Sequence, residues 1–474
     1  MTWHSAVAMA ALAVGLGAQG LPPAQVVPPA PVVLPTLPMN GSPLEGGVAS
    51  ATAATSTPLA LSLSGAVQMG LRNNLAALLA SSTTEQARAQ RMAALAALLP
   101  QVNASAGEVR QKLNLAAFGF SFPGFPSIVG PFNVFQASAA ASVPVVNLSA
   151  LQNARAAKTL QHAAQDNLEE TRDVVVLAIA NQYLLSVADQ SRVEAAQAEL
   201  ATANSALQQA QDMLKAGTVG ALSAVRAQVQ RDRQSQLLTA QQNALAKQRL
   251  QLARAVGLPP GQAFTLTTTV QFQPLAAPDA ASAVAQALAS RQDYRAAQSV
   301  ERAAQLLIAS ARDEHLPTLS LNGNYGTIGH EIDSNHPIFE VGASINLPIF
   351  AGGLYRAEAV RAEAQLHDAQ NRLADLRSQI DVQVRSALLD LDSNRAQVQV
   401  AQDARSLADQ ELTLAQDRFK AGVADNLEVV QAQQAVADAD ESYISSLYSY
   451  NLAKADLAQA LGVAANGYAP YLPQ

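Results

Sequence analysis

Four short segments of the chain alternate apolar and polar residues with a period of two. In residues 318–325, leucine, glycine and tyrosine at odd positions alternate with threonine, serine and asparagine, and residues 339–347 continue the pattern. Residues 101–106 and 135–143 repeat it earlier in the chain. This period is typical of β-strands with one apolar and one polar face. We therefore predict four strands, at about 100–112, 132–146, 317–326 and 338–349.

A proline follows each predicted strand pair, and a stretch with helical periodicity follows each proline. The prolines are Pro144 and Pro348, and later apolar residues such as Val175, Leu184 and Leu391 belong to series with three-, four- and seven-residue steps. Such steps are typical of an antiparallel coiled coil. Each stretch has about 65 residues, which at a rise of about 1.5 Å per residue gives roughly 100 Å of helix.

Each helical stretch is interrupted once by the sequence Lys-Ala-Gly, at 215–217 and at 420–422. Glycine can adopt the left-handed conformation that ends a helix, and the preceding lysine complements the negative end of the helix dipole. We therefore predict two helical hairpins, with tips at 215–223 and 420–428.

The same series of elements occurs twice, with an offset of about 205 residues. At the tips, LKAGTVGALSAVRAQ (214–228) matches FKAGVADNLEVVQAQ (419–433). Near the ends of the returning helices, LARAVGL (252–258) matches LAQALGV (457–463). Because the matched segments follow the same order in both halves, we predict an internal two-fold repeat.

The repeat divides the chain into six parts. Two short helices, at 64–79 and 84–99, are expected to open the first repeat, and Pro100 stops the second of them. The full division is a signal peptide (1–20), a proline- and alanine-rich lead-in that is expected to be flexible (21–60), repeat 1 (61–260), an inter-repeat linker (261–280), repeat 2 (281–464) and a C-terminal tail (465–474).

Composition and charge narrow the class of protein. Only 4% of the 474 residues are aromatic, and the net charge of −7 comes from interspersed acids and bases, so no nucleic-acid partner is expected. The absence of cysteine excludes disulfides, thiolate metal sites and a lipid anchor on an N-terminal cysteine. The apolar run 6–18 is too short to span a bilayer and suits a secretory signal peptide, the alternative being a misassigned start. Because no other run reaches the roughly 18 residues of a spanning helix, the chain would cross a membrane only with strands.

Taken together, these features resemble the TolC-type outer-membrane efflux proteins over nearly all of the mature chain. The similar residues are the two tips, the junctions Leu99-Pro100, Leu316-Pro317, Val143-Pro144 and Leu347-Pro348, and the segment ALASRQDYRAAQ at 287–298. The resemblance implies a mainly α-helical protein with a small transmembrane β part. It implies a homotrimer in which four strands from each protomer form one 12-stranded β-barrel, continued by a long periplasmic α-helical barrel of coiled-coil hairpins.

The resemblance also implies a location, partners and a function. The chain is expected in the bacterial outer membrane, in contact with lipid, with a large periplasmic part. It would be the exit duct of a tripartite efflux or type I secretion system, passively conducting substrates from a periplasmic adaptor protein and an inner-membrane pump of the RND, ABC or MFS type. The alternative, a non-transporting coiled-coil envelope spacer or adhesin, accounts for the helices but not for strands at the same point of both repeats. The sequence leaves the cargo open.

The family's tips offer grooves to the adaptor, and the corresponding residues of this chain lie around the two tip glycines. They are Ala216, Gly217 and Thr218 in the first tip and Ala421, Gly422 and Val423 in the second.

The family commonly places an acid that narrows the periplasmic entrance six residues after each tip glycine. Here these positions are Ser223 and Glu428, and Asp425 is another candidate. Three symmetry-related Glu428 side chains near a narrow axis would attract cations, so we hypothesise a cation-selective gate, and a solvated acid is the alternative. The positions of the locking aromatic and basic residues read Phe419 and Ala424, so a salt-bridged lock of that design is not expected.

Other motifs favour structural interpretations. HEIDSNH at 330–336 could hold a metal, but a polar turn between two strands is the simpler interpretation. Residues 114–132 contain five phenylalanines and are interpreted as an apolar outer loop, with a partner-binding surface as the alternative. No catalytic triad order, phosphate loop or HExxH zinc motif occurs. We therefore expect no enzyme activity, no metal site and no cofactor.

Overall fold

A computed structural model of the chain describes residues 46–48, 54–55, 57–119, 126–424, 426–465, 467 and 469–472. The predicted signal peptide and most of the lead-in lie outside these residues. The strands are β1 (Leu59–Leu61), β2 (Gln101–Asn114), β3 (Ile128–Val146), β4 (Phe264–Leu266), β5 (Thr318–Gly329) and β6 (Asn335–Asn346). The helices are α1 (Leu63–Asn73), α2 (Leu75–Ala96), α3 (Leu148–Lys215), α4 (Ala221–Val256), α5 (Ala280–Ser290), α6 (Gln292–Asp313), α7 (Leu354–Lys420) and α8 (Asn426–Ala460).

The chain divides into two compact units. One, the sheet unit, contains Ala87–Gln161 and Glu301–Asp368, and therefore the strands β2, β3, β5 and β6. The other, the helical unit, contains Pro35–Gln86, His162–Val300 and Ala369–Gln474, and therefore both predicted tips. Across the described residues, each helix lacks an apolar stretch long enough to cross a membrane.

The sheet unit is built on a four-stranded antiparallel sheet with the order β2-β3-β5-β6. Strand β3 begins at Ile128, four residues before the predicted boundary, because it stays paired with β2 as far as Asn114. Strand β6 ends at Asn346, before the predicted boundary at 349, and Pro348 has no N–H with which to continue the ladder.

The two faces of this sheet differ as the period-two pattern predicts. On the polar face, Ser320 Oγ lies 2.9 Å from Ser344 Oγ on the neighbouring strand, and Asn322 Nδ2 donates to the same Ser344 Oγ at 2.9 Å. On the other face, the side chains of Phe339 and Val341 are 81% and 82% exposed. Because each strand alternates in step with its neighbours, the sheet has one hydrogen-bonded polar face and one bare apolar face.

The break between the two short helices is at Asn74, not at 80–83 as the sequence suggested. The N–H of Asn74 donates to Gly70 O at 2.7 Å, and its side-chain Oδ1 accepts from Ala76 N at 2.8 Å, so this residue ends one helix and caps the next. The hydroxyls of Ser82 and Thr83 instead bond carbonyls one turn earlier and leave α2 continuous.

One core of the helical unit surrounds the first buried tyrosine, Tyr183. Strands β1 and β4 pair in parallel beside it, with Leu59 opposite Phe264. The Tyr183 hydroxyl donates to Leu61 O at 2.9 Å and accepts from Thr268 N at 3.2 Å. This pairing corrects the expectation of a flexible lead-in up to residue 60, since the last two of those residues already lie in β1.

A second buried tyrosine, Tyr450 on α8, holds the inter-repeat linker. Its hydroxyl accepts from Leu275 N at 2.8 Å and donates to Gln273 O at 3.1 Å. The ring of Phe272 packs at 5.1 Å between ring centroids. The apolar cluster around it includes Ile380 of α7. The linker is therefore held at Thr268 by a buried tyrosine on α3 and at Gln273 and Leu275 by a buried tyrosine on α8.

Candidate functional site at the helical tips

The first tip is a glycine-terminated turn between α3 and α4. Gly217 adopts a φ of +72°, its N–H donates to Leu214 O at 3.0 Å, and the N–H of Thr218 donates to Met213 O at 3.0 Å. These two bonds form a Schellman motif, which satisfies carbonyls at the end of a helix. Lys215 Nζ lies 3.2 Å from Asp212 Oδ1, one turn earlier.

The second tip, between α7 and α8, has the same geometry. Gly422 also has a φ of +72°, its N–H donates to Phe419 O at 3.0 Å, and the N–H of Val423 donates to Arg418 O at 3.1 Å. The residues proposed to face an adaptor, namely Ala216, Gly217, Thr218, Ala421, Gly422 and Val423, are all exposed. Both turns therefore present a short stretch of accessible backbone and small side chains.

The two tips pack against each other. Phe419, only 3% exposed, lies in an apolar cluster with Val429, and Met213 and Val219 of the first tip pack on this cluster. Asn426, 1% exposed, begins α8 and donates through Nδ2 to Ser223 O at 3.1 Å. A small apolar core and one buried polar bond therefore join the two tips.

Glu428 lies in the first turn of α8 and forms an ion pair across its own tip. Arg418 Nε donates to Glu428 Oε2 at 3.1 Å, and Arg418 Nη2 donates to Glu428 Oε1 at 3.4 Å. Both side chains are about half exposed. An acid in the first turn of a helix also interacts favourably with the helix dipole, which helps to hold the carboxylate in place.

The family model described as "Outer membrane efflux protein" matches residues 66–258 and 283–463 of the chain. The chain belongs to the outer membrane efflux protein family. The toluene efflux pump outer membrane protein TtgF of Pseudomonas putida is 26% identical over 417 residues, which cover 84% of this chain and 82% of TtgF. The pyoverdine export outer membrane protein OpmQ of Pseudomonas putida is 27% identical over 404 residues, covering 81% of this chain and 82% of OpmQ. The crystal structure of the Campylobacter jejuni CmeC outer membrane channel matches with a TM-score of 0.75 and 20% identity, over 90% of this chain and 92% of CmeC.

Membership of the outer membrane efflux protein family confirms the resemblance drawn from the sequence. The mainly helical fold is that of TolC-like channels, and the related proteins are outer membrane efflux channels, not enzymes. These matches do not bear on the individual tip residues, so the roles given to those residues stay predictions.

The structure arranges the three predicted gate residues differently from one another. Glu428 is paired with Arg418 within one chain, so its carboxylate is not a lone charge. Ser223 contributes its backbone carbonyl to the bond with Asn426. Asp425 lies outside the described residues.

Two tip residues with defined contacts, Arg418 and Asn426, are not among the predicted site residues. The sequence could have predicted the ion pair, because Arg418 and Glu428 carry opposite charges on either side of a predicted hairpin turn. It could not have predicted the contact of Asn426, because its partner Ser223 is 203 residues away in the chain. Only the packing of one tip on the other places Asn426 in a buried position.

Other candidate sites have structural partners. His330 Nδ1 lies 3.0 Å from Asn133 O, and Ser334 Oγ accepts from Glu331 N at 3.1 Å, which is the geometry of a polar turn. Throughout the described part of the chain, His, Asp and Glu side chains form no group suited to a metal ion. The phenylalanine-rich segment lies partly outside the described residues.

A buried charged cluster lies elsewhere in the helical unit, formed by Glu170, Asp173, Arg291 and Asp293. Arg291 is 3% exposed, and its Nη2 lies 2.5 Å from Asp293 Oδ2. Burial and, next, the Asp293 carboxylate raise the pKa of Glu170 to about 7, although Arg291 acts in the opposite direction. Burial also raises the pKa of Asp173. Glu170 can therefore hold a proton near neutral pH.

Proposed function

We propose that the protein is the outer-membrane exit duct of a tripartite efflux system. Membership of the outer membrane efflux protein family over both matched segments carries the proposal. Three protomers would close one 12-stranded barrel, with the bare apolar sheet face, including Phe339 and Val341, against outer-membrane lipid. The duct is passive, because energy and cargo selection come from the partner pump.

The direct test is to purify the protein from outer membranes in detergent and to measure its mass and single-channel conductance. We expect a trimer that forms one pore per assembly in a planar bilayer. A monomer, or a trimer without conductance, would contradict the duct and favour the envelope spacer.

We propose that the exposed tips are the docking site of the periplasmic adaptor. Replacing Gly217 or Gly422 with bulky residues would strain the turn itself, because both glycines have a positive φ. Ala216 and Ala421 precede them and are exposed, so tryptophan at these two positions blocks the surface while keeping the glycines. Adaptor crosslinking and efflux should be lost in the double variant, whereas the trimer should persist.

Leu414→Trp provides a matched control for the docking test. Leu414 is 64% exposed on α7 and lies about two turns before the second tip, so the variant places an exposed tryptophan on a helix away from the proposed surface. Efflux that survives the double tip variant would rule out docking at the tips. Efflux that is lost equally in the control would assign the effect to bulk on the helices rather than to the tips.

We propose further that Glu428 and Arg418 together set the ion selectivity of the periplasmic entrance. In a trimer the pairs would place three acids and three bases near the axis. Removing the charges of one sign should leave the charges of the other sign uncompensated. Glu428→Gln should shift the permeability ratio toward anions, and Arg418→Gln should shift it toward cations. If both variants keep the wild-type ratio in bilayer recordings, Glu428 is a solvated tip acid.

A further inference from the structure

Lys454 of α8 is a buried cation with few partners. It is 4% exposed, and its Nζ donates to Asn451 Oδ1 at the long distance of 3.4 Å. Asn451 is itself fully buried and donates through Nδ2 to Leu447 O at 2.8 Å, which turns its oxygen toward the lysine. Nζ also lies 5.6 Å from the centroid of the Tyr450 ring. An ammonium group has three N–H donors, so this set leaves donors without an acceptor.

No acid compensates this charge among the described residues. Burial alone lowers the pKa of the Lys454 amine, with no carboxylate acting on it among these residues. The two neighbouring chain segments, 255–278 and 457–474, contain no Asp, Glu, Lys or Arg at all. Neither segment therefore places a charged side chain beside Lys454. Burying an unpaired charge is unfavourable, so the site favours an added anion.

A cavity of about 300 Å³ lies beside Lys454. Its lining joins three polar residues of the linker to three residues of the C-terminal tail. They are Thr269, Gln271 and Gln273, and Ala469, Pro470 and Leu472. A hydroxyl and two carboxamides can donate hydrogen bonds, and the cavity carries no opposing negative side chain.

The cavity wall is held in place by the buried Tyr450. Its hydroxyl bonds Gln273 O and Leu275 N, so the linker cannot move away from α8 without breaking both bonds. Leu472, which lines the cavity from the C-terminal tail, is 5% exposed. The backbone of the linker beside Lys454 is therefore fixed, whereas the side chains of Thr269, Gln271 and Gln273 are exposed and would turn toward a bound ligand. A fixed backbone lowers the cost of ordering the site when a small ligand binds.

We propose that this cavity binds a small oxyanion, phosphate or a carboxylate, against the ammonium group of Lys454. The anion accepts hydrogen bonds from the Lys454 ammonium group and from the side chains of Thr269, Gln271 and Gln273. It thereby ties α8, the inter-repeat linker and the C-terminal tail together. The site is separate from the helical tips, and its existence does not depend on the proposed duct function.

Equilibrium dialysis of the full chain in detergent tests the site, with radiolabelled inorganic phosphate in one arm and radiolabelled acetate in the other. We expect one anion bound per chain in at least one arm, and the arm that binds identifies the preferred oxyanion. Lys454→Met should weaken this binding by at least about tenfold, because it removes the cation and keeps a similar volume. Lys247→Met, which removes the same charge from an exposed position on α4, should bind as the wild type does.

The proposal is overturned if neither anion binds the wild-type chain, or if Lys454→Met binds as tightly as the wild type. The wild-type measurement decides the first point even if the variant fails to fold. Single-channel conductance of Lys454→Met should equal that of the wild type, so loss of anion binding and loss of the duct function are distinguishable.

Discussion

Replacing Glu170 with glutamine should stabilise the protein at alkaline pH. Glu170 lies beside the buried pair of Arg291 and Asp293, and Gln459 Nε2 donates to its Oε1 at 3.4 Å. Glutamine keeps an oxygen that can accept this bond but cannot ionise. The substitution therefore removes the cost of a buried negative charge and leaves the shape of the site nearly unchanged.

The sign and size of the effect follow from the pKa of Glu170, which rises from 4.5 to about 7 on folding. Between these pH values the folded chain keeps a proton that the unfolded chain has released, so stability falls as the pH rises through this window. Each pKa unit corresponds to about 1.4 kcal/mol, so at pH 8 the ionised side chain costs at most about 3 kcal/mol. Glu170→Gln should therefore gain up to that amount at pH 8 and almost nothing at pH 4.5.

The assay is the difference in unfolding midpoint between variant and wild type, measured in one detergent from pH 5 to pH 9. Burial also raises the pKa of Glu199 to about 7 and that of Asp456 to about 6, so both proteins should lose stability as the pH rises. The difference between them isolates Glu170. Glu169→Gln removes a charge from the neighbouring, more exposed side chain and serves as the control. A Glu170→Gln variant that is less stable than the wild type at pH 8 would refute the reasoning.

Two further substitutions test the cores of the helical unit. Phe419→Ala removes the largest side chain of the tip cluster and should lower the free energy of unfolding by about 3 kcal/mol, which limited proteolysis would show as faster cleavage at the tips. Leu414→Ala changes an exposed residue and should have little effect. Equal cleavage of the two variants would contradict the packing of Phe419. Tyr450→Phe removes both hydrogen bonds to the linker and should lower the free energy of unfolding by about 1–3 kcal/mol. Tyr443→Phe is its control, because Arg405 contacts the Tyr443 ring and not its hydroxyl, and an equal loss in the two variants would contradict the role of Tyr450.

Local sequence patterns predicted those parts of the structure that local interactions determine. The period of two predicted the two faces of the sheet, because alternation along a strand needs no knowledge of its partners. The tip glycines were predictable in the same way, since Gly217 and Gly422 each end a helix through bonds within their own turn. The helix break at Asn74 was missed because its cap competes with nearby serines and threonines that look equally able to end a helix.

Contacts between segments that are distant in the chain could not be predicted from the sequence. The bond between Asn426 and Ser223 joins residues 203 positions apart, and the charged neighbours Arg291 and Asp293 of Glu170 come from other parts of the chain. In the sequence, Lys454 is indistinguishable from an exposed lysine of a helix. It is buried only because the linker and the tail pack over it. The sequence predicted which residue to examine as a gate, Glu428, but it did not predict that Arg418 would pair with this residue and offset its charge.

The tips and the middle of the helical unit are stabilised in different ways, and the difference bears on function. Ion pairs at the tips, such as Arg418–Glu428, are exposed, and pairs of this kind contribute roughly 0–1 kcal/mol each. The middle of the unit instead contains the buried Arg291 and the two tyrosines, Tyr183 and Tyr450, whose hydroxyls fix the linker. Regions with few buried contacts open at the lowest free energy. Apart from the small cluster around Phe419, the tips therefore have little that resists rearrangement, which suits the docking surface proposed for them.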